Sequence, residues 1–285
     1  GRPLVEWAIL PLTKNAIRDF VFVISPDDTE ITRYFTERTS LEITARFVVQ
    51  EERLGMAHAL DLAAPLIDGR FVVSACDSLV DPWHVRDLFS VGEGADAVLS
   101  LLDVEPEMLC RSGVVELEGA RIRRIVEKPA PGEAPSNTVS LPHYVFSPKL
   151  LELLPSVERS PRGEHEIQDA IQGLIDDDRT VIGVRARKRF QVSSPDDLLQ
   201  LTRQLLSDGS EPFRIGPTNV SPGLTLIEPY RIEPGVVLGD SCEIGPEVFL
   251  ESGCHIGRGA VVRRSIVLRK GVVEDGEVVE SRVVT

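Results

Sequence analysis

Asp77 closes the stretch RFVVSACD, at the end of an apolar run that reads as a strand. A carboxylate in that position is suited to Mg²⁺, which takes oxygen ligands and binds substrate phosphates. The same residue reads equally well as a turn or helix N-cap aspartate. The run IVEKP (125–129) ends a second strand with Glu127 and Lys128 before a proline. Glutamate accepts hydrogen bonds from sugar hydroxyls and lysine meets a phosphate as a point charge, although a solvated charged strand end fits the tetrapeptide alone. In FVVQEERLGMAHAL (47–60) an apolar strand stops on the lone amide of Gln50, and a small-residue helix opens at Gly55. Locally that is an ordinary turn between a strand and a helix. Cys76, Cys110, Cys242 and Cys254 show no CxxC spacing and no histidine cluster, and read as reduced thiols. No serine or cysteine sits in a recognisable triad.

The elements that must position these residues fall into two periods. From Val5 to about Leu206, helical and strand signals alternate. Helices are expected over 3–14, 28–36, 56–64 and 83–89, and strands over 20–25, 43–50, 70–75 and 95–102. This pattern predicts an α/β domain, a Rossmann-like mixed but mainly parallel sheet with helices on both faces. Ligands on such sheets bind beyond the carboxyl ends of the strands, where Gln50 and Asp77 lie. Between Gly113 and Phe146 the pattern turns to strands (GVVEL, RIRRIVEKP, HYVFS), and helices resume near 164–175 and 195–206. The Gly-, Pro- and Ser-rich segment 208–223 reads as a linker between a domain over 1–207 and another over 224–285. In the latter, Ile232, Leu238, Ile244, Leu250, Ile256, Val262 and Leu268 recur every six residues, the pattern of a short left-handed parallel β-helix. Seven hexads make little over two coils, so this part is expected to pack on the first domain or on another subunit, giving a homo-oligomer.

The net charge of −14 argues against a phosphate-tracking nucleic-acid surface. No run of eighteen apolar residues and no secretory signal is visible, so the expected setting is cytoplasmic, without a membrane partner.

Taken in order, these pieces resemble the sugar-1-phosphate nucleotidyltransferase family. The matching stretches are GRPLVEW near the start, Q-x4-G-x-A-x-A at Gln50 to Ala59, Asp77 after its strand, and SGVVEL…IVEKP at 112–129. GEHEIQDAI (163–171), SPDDLLQL (194–201) and the hexapeptide tail complete the set. The resemblance implies a Mg²⁺-dependent reaction between UTP or dTTP and a sugar 1-phosphate, glucose 1-phosphate or N-acetylglucosamine 1-phosphate, with release of pyrophosphate. By position it implies that Gln50 and Gly55 read the pyrimidine, that Asp77 binds metal and nucleotide, and that Gly113, Glu127 and Lys128 hold the sugar and its phosphate. Lys128 is then the catalytic cation. In-line attack on the α-phosphorus needs positioning and charge neutralisation more than covalent chemistry.

Three departures bear on that expectation. The family's Gly-rich loop with Arg and Lys is not in this sequence, so roughly two dozen residues are expected to precede Gly1, including a strand from mid-sheet. Where the family has W-x-D-x-G-[TS]-P, this chain has RFQVSSPDD (189–197), with Gln191 in place of the second metal carboxylate and Asp196 nearby as a substitute. An amide is the poorer Mg²⁺ ligand. Pro142 in SLPHYVF stands where the family tends to have glycine. A regulatory nucleotide-sugar-binding relative is the alternative reading, and an acyltransferase built around His255 a remoter one. His58, His143 and His165 are expected in structural or solvent roles, and Asp169 on a helix surface.

Overall fold

The computed structural model describes residues 2–187, 189–207, 214–215 and 221–285. One unit runs from Leu4 to Arg189 and a second takes Phe190–Thr285. Most of the expected linker, 208–223, lies outside the described residues.

The first unit runs α1 (Leu4–Lys14), β1 (Asp19–Ile24), α2 (Thr29–Glu37), β2 (Thr44–Val49), α3 (Met56–Ala63), β3 (Phe71–Ser74), β4 (Ser78–Leu79) and α4 (Pro82–Val91). It continues with β5 (Ala97–Asp103), α5 (Pro106–Leu109), β6 (Gly113–Glu118), β7 (Arg121–Glu127), β8 (Thr138–Phe146), α6 (Lys149–Leu153), α7 (Ile167–Asp176) and β9 (Val181–Arg185). The local reasons are visible in the residues. Asp28 caps α2 through the Ile31 amide, and Asp81 caps α4 through the His84 amide with Pro82 opening the first turn. The capping aspartate of α4 is thus Asp81, and Asp77 is left to another role.

The expectation of a mainly parallel sheet is corrected. Six strands form one sheet in the order β3-β8-β5-β9-β7-β6, and only β5 and β9 pair in parallel within it. β8 runs antiparallel to β3 and to β5, and β6 and β7 form a hairpin. β1 and β2 pair in parallel in a sheet of their own. The apolar runs gave burial on both faces correctly but carry no information on direction, because a fully buried antiparallel strand reads the same. The strand over 181–185, not expected from the sequence, supplies the parallel neighbour of β5.

Helices do cover both faces, and period-two alternation divides the side chains. Leu99, Leu101, Tyr144 and Phe146 pack with Ala57 and Leu60 of α3, Leu150 of α6 and Ile167, Ile171 and Leu174 of α7. Val98 and Val145 turn the other way, onto Leu88 of α4.

In the second unit, β10 (Phe190–Gln191) and α8 (Pro195–Ser207) precede twelve short strands from Arg214 to Val284. These twelve make three all-parallel ladders of five, four and three strands, more than the little over two coils expected. Their inward residues are Ile232, Leu238, Ile244, Leu250, Ile256 and Val262, as the hexads require. The series then slips. Tyr230 pairs with Val248, eighteen residues on, but Phe249 pairs with Ile266, seventeen on. Val267, not Leu268, therefore enters the core, followed by Val273 and Val279. The corner is one residue shorter there, and the buried Ser265 fills it by donating to Arg263 O (2.6 Å) and accepting from the Arg282 amide (3.2 Å). All four cysteines are free, with Cys242 and Cys254 buried in this core. Burial pushes the Cys254 thiol up to about 12.

Candidate functional site

The Gln50 amide N–H donates to Ile24 O (2.8 Å), which pins its backbone to the ends of β1 and β2 together. Its side-chain Nε2 donates to Gly55 O (3.2 Å) and lies 3.0 Å from His58 Nδ1. Both amide protons are thereby engaged, and Oε1 is the acceptor that remains for a ligand. His58, expected in a structural role, orients this amide.

Gly55 has φ +96° and ψ 178°, a conformation essentially restricted to glycine. A Cβ there would stand 2.6 Å from His165 O and 2.9 Å from His165 N. The loop before α3 is clamped at this point, because His165 N–H donates to Leu54 O (2.7 Å) and Ala57 N–H donates to His165 O (3.0 Å). The immediate reason for the glycine is thus the close approach of another loop. His165 Nδ1 lies 2.7 Å from Val157 O, and its ring stands 6.2 Å from that of His58.

A second cluster forms where β6 and β7 meet. Gly113 pairs with Glu127, and a Cβ on Gly113 would lie 3.0 Å from Glu127 Oε2 and 2.9 Å from Ser140 Oγ. The absent side chain lets the carboxylate lie over the strand. Oε2 is buried and without a hydrogen-bond partner among the described residues, while Oε1 lies 3.5 Å from Lys128 Nζ and 3.9 Å from the Arg162 guanidinium. Burial raises the Glu127 pKa, and the two cations oppose that rise. Lys128 holds φ +45° and donates its N–H to Ser112 O (3.0 Å), so its side chain leaves from a fixed root and stays partly exposed.

Arg162 and Glu166 complete this cluster and escaped the sequence reading. Arg162 donates to Glu166 Oε1 (2.7 Å), which Ser160 Oγ also reaches (2.9 Å). The GEHEIQDAI motif begins one residue after the arginine, so an arginine beside a glutamate-rich helix start was the available signal. Asp169 is exposed in the first turn of α7, as expected. The segment 159–166 ties both clusters, since its Arg162 serves Glu127 and its His165 clamps the Gly55 loop.

Asp77 lies, half-buried, on the turn between β3 and β4. Burial lowers the Arg189 pKa and the charge of Asp77 opposes this, while Tyr144 senses both Arg189 and Glu127. Among the described residues no group of three or more His, Cys, Asp or Glu converges on one point. One hard carboxylate nevertheless fits Mg²⁺ when phosphates supply further oxygens. Gln191 lies exposed on β10 and Asp196 exposed in the first turn of α8, both in the second unit. Asp197 is the residue that accepts the Ser193 and Ser194 amides.

His143 is buried, its Nδ1 3.1 Å from Ser74 Oγ and its Nε2 3.1 Å from Ser78 Oγ. Burial lowers its pKa to about 3, and burial also lowers that of His84. Both must charge on unfolding below the ordinary value of 6.5. Their contribution to stability is complete above that pH and is lost as pH falls, for His143 down to about 3. The unfolding free energy from urea titrations between pH 7.5 and 5 should fall with a slope approaching about 1.4 kcal/mol per pH unit for His143, and the slope should shrink in His143→Gln.

The family model described as "Nucleotidyl transferase" matches residues 1–208. The low-salt glycan biosynthesis nucleotidyltransferase Agl11 of Haloferax volcanii is 27% identical over 214 residues, which cover 74% of this chain and 59% of that protein. The UTP–glucose-1-phosphate uridylyltransferase AglF of the same organism is 28% identical over 216 residues, covering 74% of this chain and 87% of that one. Among solved structures, a UDP-glucose pyrophosphorylase complexed with UDP-glucose superposes with a TM-score of 0.65 at 20% identity, over 73% of this chain and 88% of that one. A UTP-bound UGPase from Acinetobacter baumannii gives 0.64 at 22%, over 74% and 84%.

Proposed function

The chain belongs to the nucleotidyl transferase family, and from that membership we propose that it joins UTP or dTTP to glucose 1-phosphate or N-acetylglucosamine 1-phosphate, giving a nucleotide sugar and pyrophosphate. The observation that carries this reading is the buried, unpartnered Glu127 Oε2 over the bare Gly113, with Lys128 at its edge. A buried acceptor of this kind is complementary to a sugar hydroxyl, and the adjacent ammonium to the phosphate of the same molecule.

Gln50 supports the choice of pyrimidine. With both amide protons used internally, Oε1 accepts from the N3–H that uracil and thymine share. Cytosine lacks that proton. A phosphate oxygen of the sugar phosphate attacks the α-phosphorus, the bond from that phosphorus to the β-bridging oxygen breaks, and pyrophosphate leaves. Lys128 holds the attacking phosphate and offsets its charge, and Asp77 supplies a carboxylate for Mg²⁺. Bound there with the triphosphate, Mg²⁺ would neutralise phosphate charge.

In the second unit we read the three parallel ladders as a left-handed β-helix that serves assembly. Val237 and Val272 stand about half exposed on one ladder, in register with His255 between them. Two half-exposed valines on either side of an exposed histidine suit contact with a second copy.

Incubation of the 285-residue chain with UTP or dTTP, either sugar 1-phosphate and Mg²⁺ should release one pyrophosphate per nucleotide sugar formed. Nucleotide binding without release would favour the alternative, a regulatory relative in which Gln191 has replaced a needed carboxylate. Absence of both binding and release would overturn the reading.

A further inference from the structure

The departure at Pro142 and the buried His143 beside it have one structural explanation. β8 bulges there: Leu99 pairs with Tyr144 but Ser100 pairs with Leu141, so Pro142 and His143 stand outside the ladder with β5. Proline is tolerated at such a point because no ladder N–H is required of it, and a bulge re-aims the side chain that follows. On the other edge of β8 the contact with β3 is kept, since His143 pairs with Ser74 and Pro142 O accepts the Ala75 N–H (3.0 Å).

The imidazole spans the Asp77 turn. Ser74 is the last residue of β3 and Ser78 the first of β4, and the ring reaches one hydroxyl with each nitrogen, at 3.1 Å in both cases. Ser78 is fully buried and His143 nearly so. A neutral imidazole has one donor and one acceptor nitrogen, which two hydroxyls satisfy together. The remaining groups that act on the ring are His84 on α4 and Arg189. His84 is itself held by Ser100 Oγ at 2.7 Å.

We infer that His143 is a positioning residue for Asp77, fixing both ends of the turn that presents this carboxylate to the metal–nucleotide complex. The inference rests on the reading of Asp77 as a metal ligand. Partners that orient a ligand without touching the metal typically matter ten- to a hundredfold in metal affinity.

The test is Mn²⁺ binding to the 285-residue chain with UTP present, followed by water-proton relaxation, with UTP affinity in EDTA measured alongside. His143→Leu and Ser78→Ala should each weaken Mn²⁺ about tenfold and leave metal-free UTP affinity unchanged. His143→Gln, which keeps one donor and one acceptor, should recover wild-type Mn²⁺ affinity to within about threefold. Where His143→Leu fails to fold, Ser78→Ala decides alone. Mn²⁺ affinity unchanged in Ser78→Ala and in folded His143→Leu, but lost in Asp77→Asn, would overturn the inference and leave the site reading intact. Asp77→Asn binding Mn²⁺ as tightly as wild type would instead overturn the assignment of Asp77, and the inference with it.

Discussion

Gly55→Ala is expected to lower the thermal midpoint of the first unit by roughly 5–10 °C and to remove most of the affinity for UTP. The backbone at φ +96°, ψ 178° lies where alanine is strained, at a cost on the order of 1–3 kcal/mol. The added methyl would also stand 2.6 Å from His165 O, a backbone atom that cannot rotate away. Relief requires the loop before α3 to separate from 159–166, which breaks the hydrogen bonds of Leu54 and Ala57 to His165. Gly55 O and His58 then cease to orient the Gln50 amide, so stability and nucleotide binding fall together. Gly69→Ala is the control. Gly69 also has positive φ (+70°), but its Cβ would meet nothing within 4 Å. That variant should lose about 1 kcal/mol and bind UTP normally. Equal losses in the two variants would show that backbone strain, and not the His165 clamp, sets the effect.

Lys128→Ala should lower kcat/KM for the sugar 1-phosphate on the order of 10²- to 10³-fold while the Kd for UTP stays within a factor of about two. The reasoning starts from the backbone. The positive φ of Lys128 and its N–H bond to Ser112 O fix the root of a partly exposed side chain, whose ammonium lies 3.5 Å from Glu127. Under the proposed function, a cation so placed would meet the phosphate of a sugar whose hydroxyl bonds Glu127 Oε2. The adjacent carboxylate limits how far the ammonium strays. Arginine is a poor replacement, because a guanidinium offers a planar fork where a point charge fits, so Lys128→Arg should recover less than a tenth of the activity. Removing Lys128 also leaves Arg162, at 3.9 Å, as the cation nearest Glu127 in the cluster, and the Glu127 pKa should rise further. Steady-state kinetics with each substrate varied would check this. A kcat/KM within about threefold of wild type would remove Lys128 from the catalytic machinery.

Gly113 and Glu127 were separately legible as strand ends, but their being register partners, and the resulting cradle, depends on the β6–β7 hairpin closing in one frame. Arg162 was missed because its one local signal, the glutamate-rich helix start that follows it, fits a solvated arginine equally well. Only the packing of the turn before α7 brings it to Glu127. The hexad series predicted the inward aliphatics as far as Val262 because one residue per face is a local rule, and it failed at Leu268 because the shortened corner at Ser265 is set by pairing with the neighbouring coil.

The sequence by itself determined most of the buried segments, the main helices and strands of the first unit up to 102, and which side chains stand at strand ends. These follow from hydrophobic periodicity, caps and turn residues, all of which act over a few positions. Strand direction, the β8 bulge, the clamp on Gly55 and the imidazole spanning the Asp77 turn were decided by tertiary structure alone. Each is a contact between residues far apart in the chain, and residue type and spacing leave the partner of such a contact unspecified.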